Sequence, residues 1–108
     1  MSNVQETIRK QVEDNPVILY MKGTPQFPEC GFSMRTVQAL DSCGVQYATV
    51  NVLENEGIRQ GVKEFGNWPT IPQLYINGEL VGGCDIIMEL YQSGELKRQL
   101  QEAAGKVE

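Results

Sequence analysis

The residues best suited to chemistry in this sequence lie around Cys30, which is followed by Gly31, Phe32 and Ser33. The pattern predicts that Cys30 stands at the start of a helix. A thiol at that position is favoured as its thiolate, because unpaired backbone N–H groups and the positive end of the helix dipole stabilise the negative charge. A nearby ammonium such as that of Lys22 would add to this effect. Because a thiolate is both a nucleophile and a soft metal ligand, the sequence predicts one of these two roles for Cys30.

Ser33 occupies the position at which a dithiol redox protein has its second cysteine. Its hydroxyl could donate a hydrogen bond to the sulfur of Cys30, but it cannot attack a mixed disulfide formed there. An external thiol would have to resolve such a disulfide, so the sequence implies a small thiol cofactor. The plainer alternative is a buried structural cysteine at a helix start, since free cysteines are often simply buried.

The composition argues against several other kinds of site. The chain has 108 residues, no histidine and a formal net charge of -5. Without histidine, Cys-His and Ser-His catalytic pairs and most zinc sites are excluded. A zinc site built from the three cysteines and a carboxylate would have unfavourable spacing. The acidic balance argues against nucleic acid or an anionic membrane as the main partner.

The cysteines and the N-terminus indicate the compartment. Cys30, Cys43 and Cys84 form no C-x-x-C pair, which favours a reducing cytosolic compartment over a disulfide framework. No apolar run approaches the length of a membrane helix, and the polar start of the chain carries no export signal. We therefore expect a cytoplasmic protein. Cys43 falls in no motif and is interpreted as a packing residue, with a redox role for its thiol as the alternative.

Hydrophobic patterning predicts strands and helices in alternation. Apolar runs or strict alternation predict four strands: Val17–Met21, Tyr47–Val52, Gln73–Ile76 and, across an Asn77-Gly78 type I′ turn, Glu79–Val81. Helical spacing and capping signals predict five helices. The first has an Asn3–Glu6 capping box and is ended by Asn15-Pro16, and the second runs from Gly31 to about Cys43, with Gly44 in a left-handed conformation. The third contains Ile58, Val62 and Phe65 and is closed by Gly66, the fourth begins near Cys84-Asp85, and the last, a short one, contains Leu96 and Leu100.

This order of elements predicts an α/β fold in a single domain over residues 1–108. The first strand–helix–strand unit implies a right-handed parallel crossover. Together the elements give a four-stranded mixed sheet flanked by helices on both faces, with an extra N-terminal helix, which is the thioredoxin-like arrangement. The spacing predicts these inward-facing residues: Met34, Val37 and Leu40 on the second helix, and Ile86, Ile87, Leu90 and Tyr91 on the fourth. The tail from Ala103 to Glu108 is expected to fray.

Four motifs in this order resemble those of the CGFS-type monothiol glutaredoxins. They are Cys30-Gly31-Phe32-Ser33, Lys22-Gly23-Thr24 with the insert Thr24–Pro28, the segment Trp68-Pro69-Thr70-Ile71-Pro72-Gln73, and Gly82-Gly83-Cys84-Asp85. The likeness runs from the first helix to the last and is closest to the bacterial single-domain members. Trp68 itself is expected to serve in packing.

The resemblance implies a glutathione site. Lys22 and Arg59 would hold the glycyl carboxylate, although Arg59 alone would be interpreted as a solvated helix charge. A cis Ile71-Pro72 bond would turn the backbone of Ile71 toward the ligand's cysteine. The backbone of Cys84 and the carboxylate of Asp85 would hold the γ-glutamyl end. The plainer role for Asp85 is an N-cap, and the Cys84 thiol is expected to be buried.

The resemblance also implies a function. Two Cys30 thiolates and two glutathione thiolates would hold a [2Fe–2S] cluster across a twofold homodimer, so that the protein acts as a cluster carrier or scaffold in iron–sulfur biogenesis and iron homeostasis. A BolA-like protein and apo iron–sulfur proteins are the implied partners. The alternative is a weak glutathione-dependent thiol–disulfide oxidoreductase that works through Cys30. A non-catalytic, redox-regulated binding module is a third class that no specific residue supports.

Overall fold

A computed structural model describes residues 3–105 of the chain. The elements in chain order are α1 (Val4–Asp14), β1 (Val17–Met21), α2 (Gly31–Ser42), β2 (Ala48–Asn51), a short 3-10 turn (Val52–Glu54), α3 (Glu56–Phe65), β3 (Gln73–Ile76), β4 (Glu79–Gly82), α4 (Cys84–Ser93) and α5 (Glu95–Gly105). β1 and β3 have the predicted bounds, whereas β2 is shorter by one residue at each end.

The four strands form one mixed sheet in the order β2-β1-β3-β4. β1 runs parallel to β2 and antiparallel to β3, and β3 and β4 form an antiparallel hairpin. The hairpin turn has positive φ at both central residues, 53° at Asn77 and 84° at Gly78, as a type I′ turn requires. The predicted strand pairings and turn are therefore confirmed.

Helices cover both faces of the sheet. One core cluster joins β1 and β3 to α2, α4 and α5 through residues such as Leu19, Leu40 and Leu100. A second cluster joins the opposite face of the same strands to α1 and α3 through Tyr20 and Tyr75. All five residues of β1 are buried, which explains why the strand is continuously apolar. The thioredoxin-like arrangement with an extra N-terminal helix is confirmed.

Helix ends agree with the sequence except at the first cap. Gly44 and Gly94 follow α2 and α4 with positive φ of 77° and 86°, as C-terminal glycines commonly do. The predicted capping box at Asn3 is wrong, because Asn3 has φ -99° and ψ 17° and its side chain makes no capping hydrogen bond. An N-cap side chain reaches the helix from an extended backbone. Asn55 has that geometry, and its Oδ1 accepts from the Ile58 N–H of α3 at 3.1 Å.

Two residues predicted to face inward are exposed instead. Met34 is 45% exposed, because the fully buried positions of the first turns of α2 are taken by the small polar residues Ser33 and Thr36. The Thr36 hydroxyl donates to the Phe32 carbonyl at 2.9 Å, which makes its burial inexpensive. Tyr91 is 40% exposed in the last turns of α4.

The final helix is longer than predicted. α5 continues to Gly105, and the side chain of Ala103 is fully buried in the core together with Leu96 and Leu100. The prediction that the chain frays from Ala103 is therefore wrong at its start, and residues 106–108 lie outside the described part of the chain. No helix within residues 3–105 is both long and apolar enough to cross a membrane.

Candidate functional site

Cys30 is the N-cap residue of α2 and is partly exposed. Burial raises the pKa of its thiol, but the opposing influences are together stronger: the backbone N–H groups of Ser33 and Phe32, the charge of Lys22 and the Ser33 hydroxyl. The pKa of Cys30 therefore lies below its ordinary value, as expected for a thiol at a helix N-terminus.

Ser33 connects the cysteine to the sheet. Its side chain is fully buried, and its Oγ accepts the backbone N–H of Lys22 at 3.1 Å. A hydroxyl has one proton and two lone pairs, so Ser33 can accept from Lys22 and still donate to the sulfur of Cys30. The predicted hydrogen bond to the thiolate is consistent with this geometry.

The loop before Cys30 is a closed turn. Thr24 and Phe27 exchange backbone hydrogen bonds of 3.2 Å and 3.0 Å, and the N–H of Glu29 donates to the carbonyl of Lys22 at 2.9 Å. Gly23 has φ 92°, and a Cβ there would lie 2.7 Å from the Glu29 nitrogen, so the position requires glycine. Asn51 of β2 fixes the turn from the other side, where its Oδ1 accepts the Gly23 N–H at 2.9 Å.

Five of the predicted site residues share one cavity of about 450 Å³: Lys22, Cys30, Ile71, Cys84 and Asp85. The other residues that line it are Phe32, Lys63, Trp68, Pro69, Thr70, Pro72, Gly83 and Ile86. Its volume is within the usual range for small-molecule sites. The four motifs, which are distributed between residues 22 and 85, therefore meet at one place.

Arg59 does not line this cavity. Its guanidinium lies 3.9 Å from Glu56 on the same helix, with the Arg59 side chain about one third exposed. Lys63, one turn later on α3, is the residue of that helix that lines the cavity. Lys63 was not among the site residues predicted from the sequence, although its spacing of four residues from Arg59 puts both cations on one face of the helix.

The third and fourth motifs, Trp68–Gln73 and Gly82–Asp85, both contribute to the cavity wall. The Ile71-Pro72 bond is cis, as the resemblance implied. Gly83 precedes α4 as its N-cap residue and has no side chain to cap the helix. Gly83 therefore offers no side-chain oxygen to the N–H groups of the first turn of α4, which lies beside the cavity. Such N–H groups can donate to a carboxylate. Asp85 lies in that first turn and is exposed, so the plainer interpretation of it as the N-cap is wrong.

The other two thiols are buried. Cys43 is 5% exposed and Cys84 is 8% exposed, and neither forms a disulfide. Burial raises the pKa of the Cys43 thiol by more than the charge of Lys97 lowers it. Within residues 3–105, no group of three or more His, Cys, Asp or Glu side chains is arranged to hold a metal ion. Among the three cysteines, all of which lie within residues 3–105, Cys30 is therefore the one whose side chain is not buried.

Comparisons with known proteins agree with this geometry. A family model described as Glutaredoxin matches residues 17–81. Glutaredoxin 4 of Escherichia coli (strain K12) is 52% identical over 106 residues, which cover 98% of this chain and 92% of that protein. The solution structure of reduced poplar apo GrxS14 matches with a TM-score of 0.81 at 50% identity, covering 94% of this chain and 97% of that one.

A second structural match is a complex with a ligand. The crystal structure of a buckwheat glutaredoxin–glutathione complex matches with a TM-score of 0.81 at 25% identity, covering 93% of this chain and 89% of that one.

The family model covers more than half of the chain, and the Escherichia coli relative matches nearly all of it. Serine stands at position 33, one turn after the cysteine that lines the cavity. This chain belongs to the glutaredoxin family, in its monothiol class.

Proposed function

We propose that this protein binds glutathione and, as a homodimer, carries a [2Fe–2S] cluster that it delivers to apo iron–sulfur proteins. The observation that supports this most is the single accessible thiol with a lowered pKa, at the edge of a cavity bounded by cations and a helix N-terminus. We propose that it acts in cluster biogenesis and iron homeostasis in the cytoplasm. We also propose that the whole chain is a single glutaredoxin domain.

Glutathione suits the chemistry of the cavity. It carries a carboxylate at each end, and Lys22 and Lys63 offer positive charge in the lining. We assign the glycyl carboxylate to these lysines, with Arg59 as a further proposed contact. The γ-glutamyl carboxylate would meet the N–H groups that open α4 near Cys84, and its amine would meet Asp85.

The cluster requires a ligand set that one chain does not have. A [2Fe–2S] cluster is held by four ligands, usually thiolates. Because Cys43 and Cys84 are buried, Cys30 is the candidate ligand of each chain. Two Cys30 thiolates and two glutathione thiolates would complete the set across a twofold axis. The glutathione ligands are exchangeable, which would make the cluster transferable.

The surface around Cys30 is suited to contact with another protein. Phe27, Phe32 and Met34 are 78%, 56% and 45% exposed, respectively, and all are within a few residues of the cysteine. Exposed apolar side chains that cluster in this way often mark interaction sites. This supports a second copy of the chain at the proposed homodimer contact, and a BolA-like protein as an alternative partner there.

A weaker thiol–disulfide activity is the second candidate, favoured by the same thiolate. Cys30 would attack the glutathione sulfur of a mixed disulfide and release the substrate thiol. A second glutathione thiolate would then attack the Cys30 adduct, forming glutathione disulfide and restoring Cys30. No second accessible cysteine within residues 3–105 could replace that glutathione.

Anaerobic reconstitution with iron, sulfide and glutathione tests the proposal. We expect wild-type protein to develop cluster absorption and to elute as a dimer. Cys30→Ser should lose both properties, whereas Cys43→Ser, the matched control, should keep them because its thiol is buried in the core. Cys84→Ser should also keep most of the cluster, since its proposed contribution is from the backbone.

Two outcomes would contradict the proposal. One is equal loss of cluster in all three serine variants, which would mean that Cys30 is not the specific ligand. The other is a colourless wild-type monomer that rapidly reduces glutathione mixed disulfides, which would favour the oxidoreductase instead.

A further inference from the structure

Gln73 is a fully buried polar side chain beside the cavity but not in its lining. Its Nε2 donates to the carbonyl oxygens of Trp68 at 3.0 Å and Thr70 at 3.2 Å. Its Oε1 accepts the hydroxyl of Tyr75 at 3.0 Å. Two hydrogen bonds of this amide therefore join β3 to the segment Trp68–Thr70, and the third stays within β3.

That segment forms part of the cavity wall. Trp68, Pro69 and Thr70 all line the cavity, immediately before the cis Ile71-Pro72 bond. At its other end the Trp68 N–H donates to the carbonyl of Lys63 at 3.0 Å, which attaches the segment to the last turn of α3. The two hydrogen bonds that Gln73 donates link the segment Trp68–Thr70 to β3 of the sheet.

The segment also reaches the wall formed by the glycine motif. The indole Nε1 of Trp68 is buried, has no hydrogen-bond partner among the described residues, and would lie 3.1 Å from a Cβ added at Gly83. The indole therefore packs closely over the backbone that leads into α4. A shift of the segment would disturb both sides of the cavity.

Tyr75 completes the hydrogen bonding of the Gln73 amide. The two loop carbonyls can only accept, so they hold Nε2 toward the loop, and the Tyr75 hydroxyl donates to Oε1 at the other end of the amide. Tyr75 is 2% exposed and packs edge-on against Tyr20, with ring centroids 5.8 Å apart. Burial raises the pKa of Tyr75 to about 12, so its hydroxyl keeps the proton that it donates.

Gly66 leaves the space that this hydroxyl needs. A Cβ at Gly66 would clash with the Tyr75 hydroxyl and would lie 3.1 Å from Gln73 Oε1. The φ of Gly66 is -90°, which any residue can adopt, so alanine there would act through this contact and not through backbone strain.

We propose that Gln73 and Tyr75 are positioning residues that hold Trp68–Thr70 as a preformed wall of the glutathione cavity and thereby set glutathione affinity without touching the ligand. The inference rests on the proposed function. Its physical basis is preorganisation: apparent affinity falls in proportion to the fraction of molecules whose site is already formed.

The test compares two tyrosine-to-phenylalanine changes in the full-length protein. Tyr75→Phe removes the hydroxyl that donates to Gln73 Oε1 and leaves that buried oxygen without its partner. The matched control, Tyr20→Phe, removes a hydroxyl that donates to Gln11 at 2.7 Å, away from the cavity and in the same core cluster. Calorimetry measures glutathione binding, and acrylamide quenching reports on Trp68, the only tryptophan of the chain.

We expect Tyr75→Phe to weaken glutathione binding by about fivefold and to increase quenching of Trp68, from the usual cost of a lost buried hydrogen bond. Tyr20→Phe should match wild type in both readouts, even if its thermal stability falls. Gly66→Ala should weaken binding like Tyr75→Phe. The double variant should be no weaker than Tyr75→Phe alone, because both changes act on one contact.

Unchanged affinity and quenching in Tyr75→Phe and Gly66→Ala would overturn the proposal, as would an equal effect of Tyr20→Phe. If wild type does not bind glutathione at all, the proposed function fails and the affinity claim with it. In that case the quenching comparison, which needs no ligand, still decides whether Tyr75 and Gln73 hold the loop.

Discussion

Ser33 has two roles, one in the structure and one at the Cys30 thiol. A cysteine at this position would add a second thiol that could form a disulfide with Cys30. Its Oγ accepts the Lys22 N–H at 3.1 Å, which ties α2 to the end of β1, and its hydroxyl contributes to the lowered pKa of Cys30. The residue therefore keeps the thiolate available and leaves it without a resolving thiol. A metal ligand needs an available thiolate and no resolving thiol, whereas a rapid disulfide reductase needs a second thiol to resolve its mixed disulfide.

Ser33→Ala tests this role. Without the hydroxyl, we expect the pKa of Cys30 to rise toward that of an ordinary thiol, because one of the groups that stabilise the thiolate is lost. The pH dependence of alkylation by iodoacetamide measures it, and the half-maximal rate should move to higher pH. The Lys22 N–H also loses its partner, so the free energy of unfolding should fall by about 1–3 kcal/mol.

Thr36→Val is the matched control, since Thr36 is also fully buried on α2 and donates to Phe32 O at 2.9 Å. It should lower stability without moving the alkylation profile. If both variants shift the profile equally, the Ser33 hydroxyl has no specific effect on the sulfur.

At the scale of elements, α3 determines which cation reaches the site. Asn55 caps the helix, and ten residues later it ends at Phe65, so its last turn, with Lys63, lies beside the cavity. Arg59, one turn earlier, lies near Glu56 and outside the lining. We therefore expect Lys63 to contribute more to the binding of a carboxylate than Arg59 does.

Alanine substitutions on α3 test this ranking. Lys63→Ala should weaken glutathione binding by about tenfold, in line with about 1.4 kcal/mol for a charged contact in a partly solvated cavity. Arg59→Ala should have a smaller effect in the same calorimetric titration. Lys10→Ala on α1, whose ammonium pairs with Asp14, serves as the control for net charge. A larger loss from Arg59→Ala would reverse our ranking of the two cations.

Local sequence signals predicted the elements that carry the site. β1 and β3 were predicted to the residue, because an apolar run between Asn15-Pro16 and Lys22-Gly23, and another between Pro72 and Asn77-Gly78, leave little choice of bounds. Cys30 at the start of α2 followed from spacing alone. Most of the remaining site residues came from the resemblance to a family and not from local physics.

Contacts between distant segments were beyond the reach of the sequence. Helical spacing made Met34 an inward-facing residue, but the hydrogen bonds that make Ser33 and Thr36 suitable for burial depend on the fold. The Gln73 amide looks like an ordinary polar residue at the start of a strand. Its role depends on two loop carbonyls and on Tyr75, which meet only when β3 has formed.

In the whole molecule, five segments line the cavity that contains the Cys30 thiol. They are the end of β1, the start of α2, the last turn of α3, the segment Trp68–Pro72 and the start of α4. The chain carries a net charge of -5, so an anionic ligand depends on this local group of lysines. A chain whose other two thiols are buried can hold a four-ligand cluster only together with other molecules.

Native mass spectrometry of the reconstituted protein tests that claim most directly, because it weighs chains, cluster and glutathione together. We predict a dominant species of two chains, one [2Fe–2S] cluster and two glutathione molecules, which disappears when glutathione is omitted. A cluster on a single chain, or a cluster-bound dimer without glutathione, would contradict it.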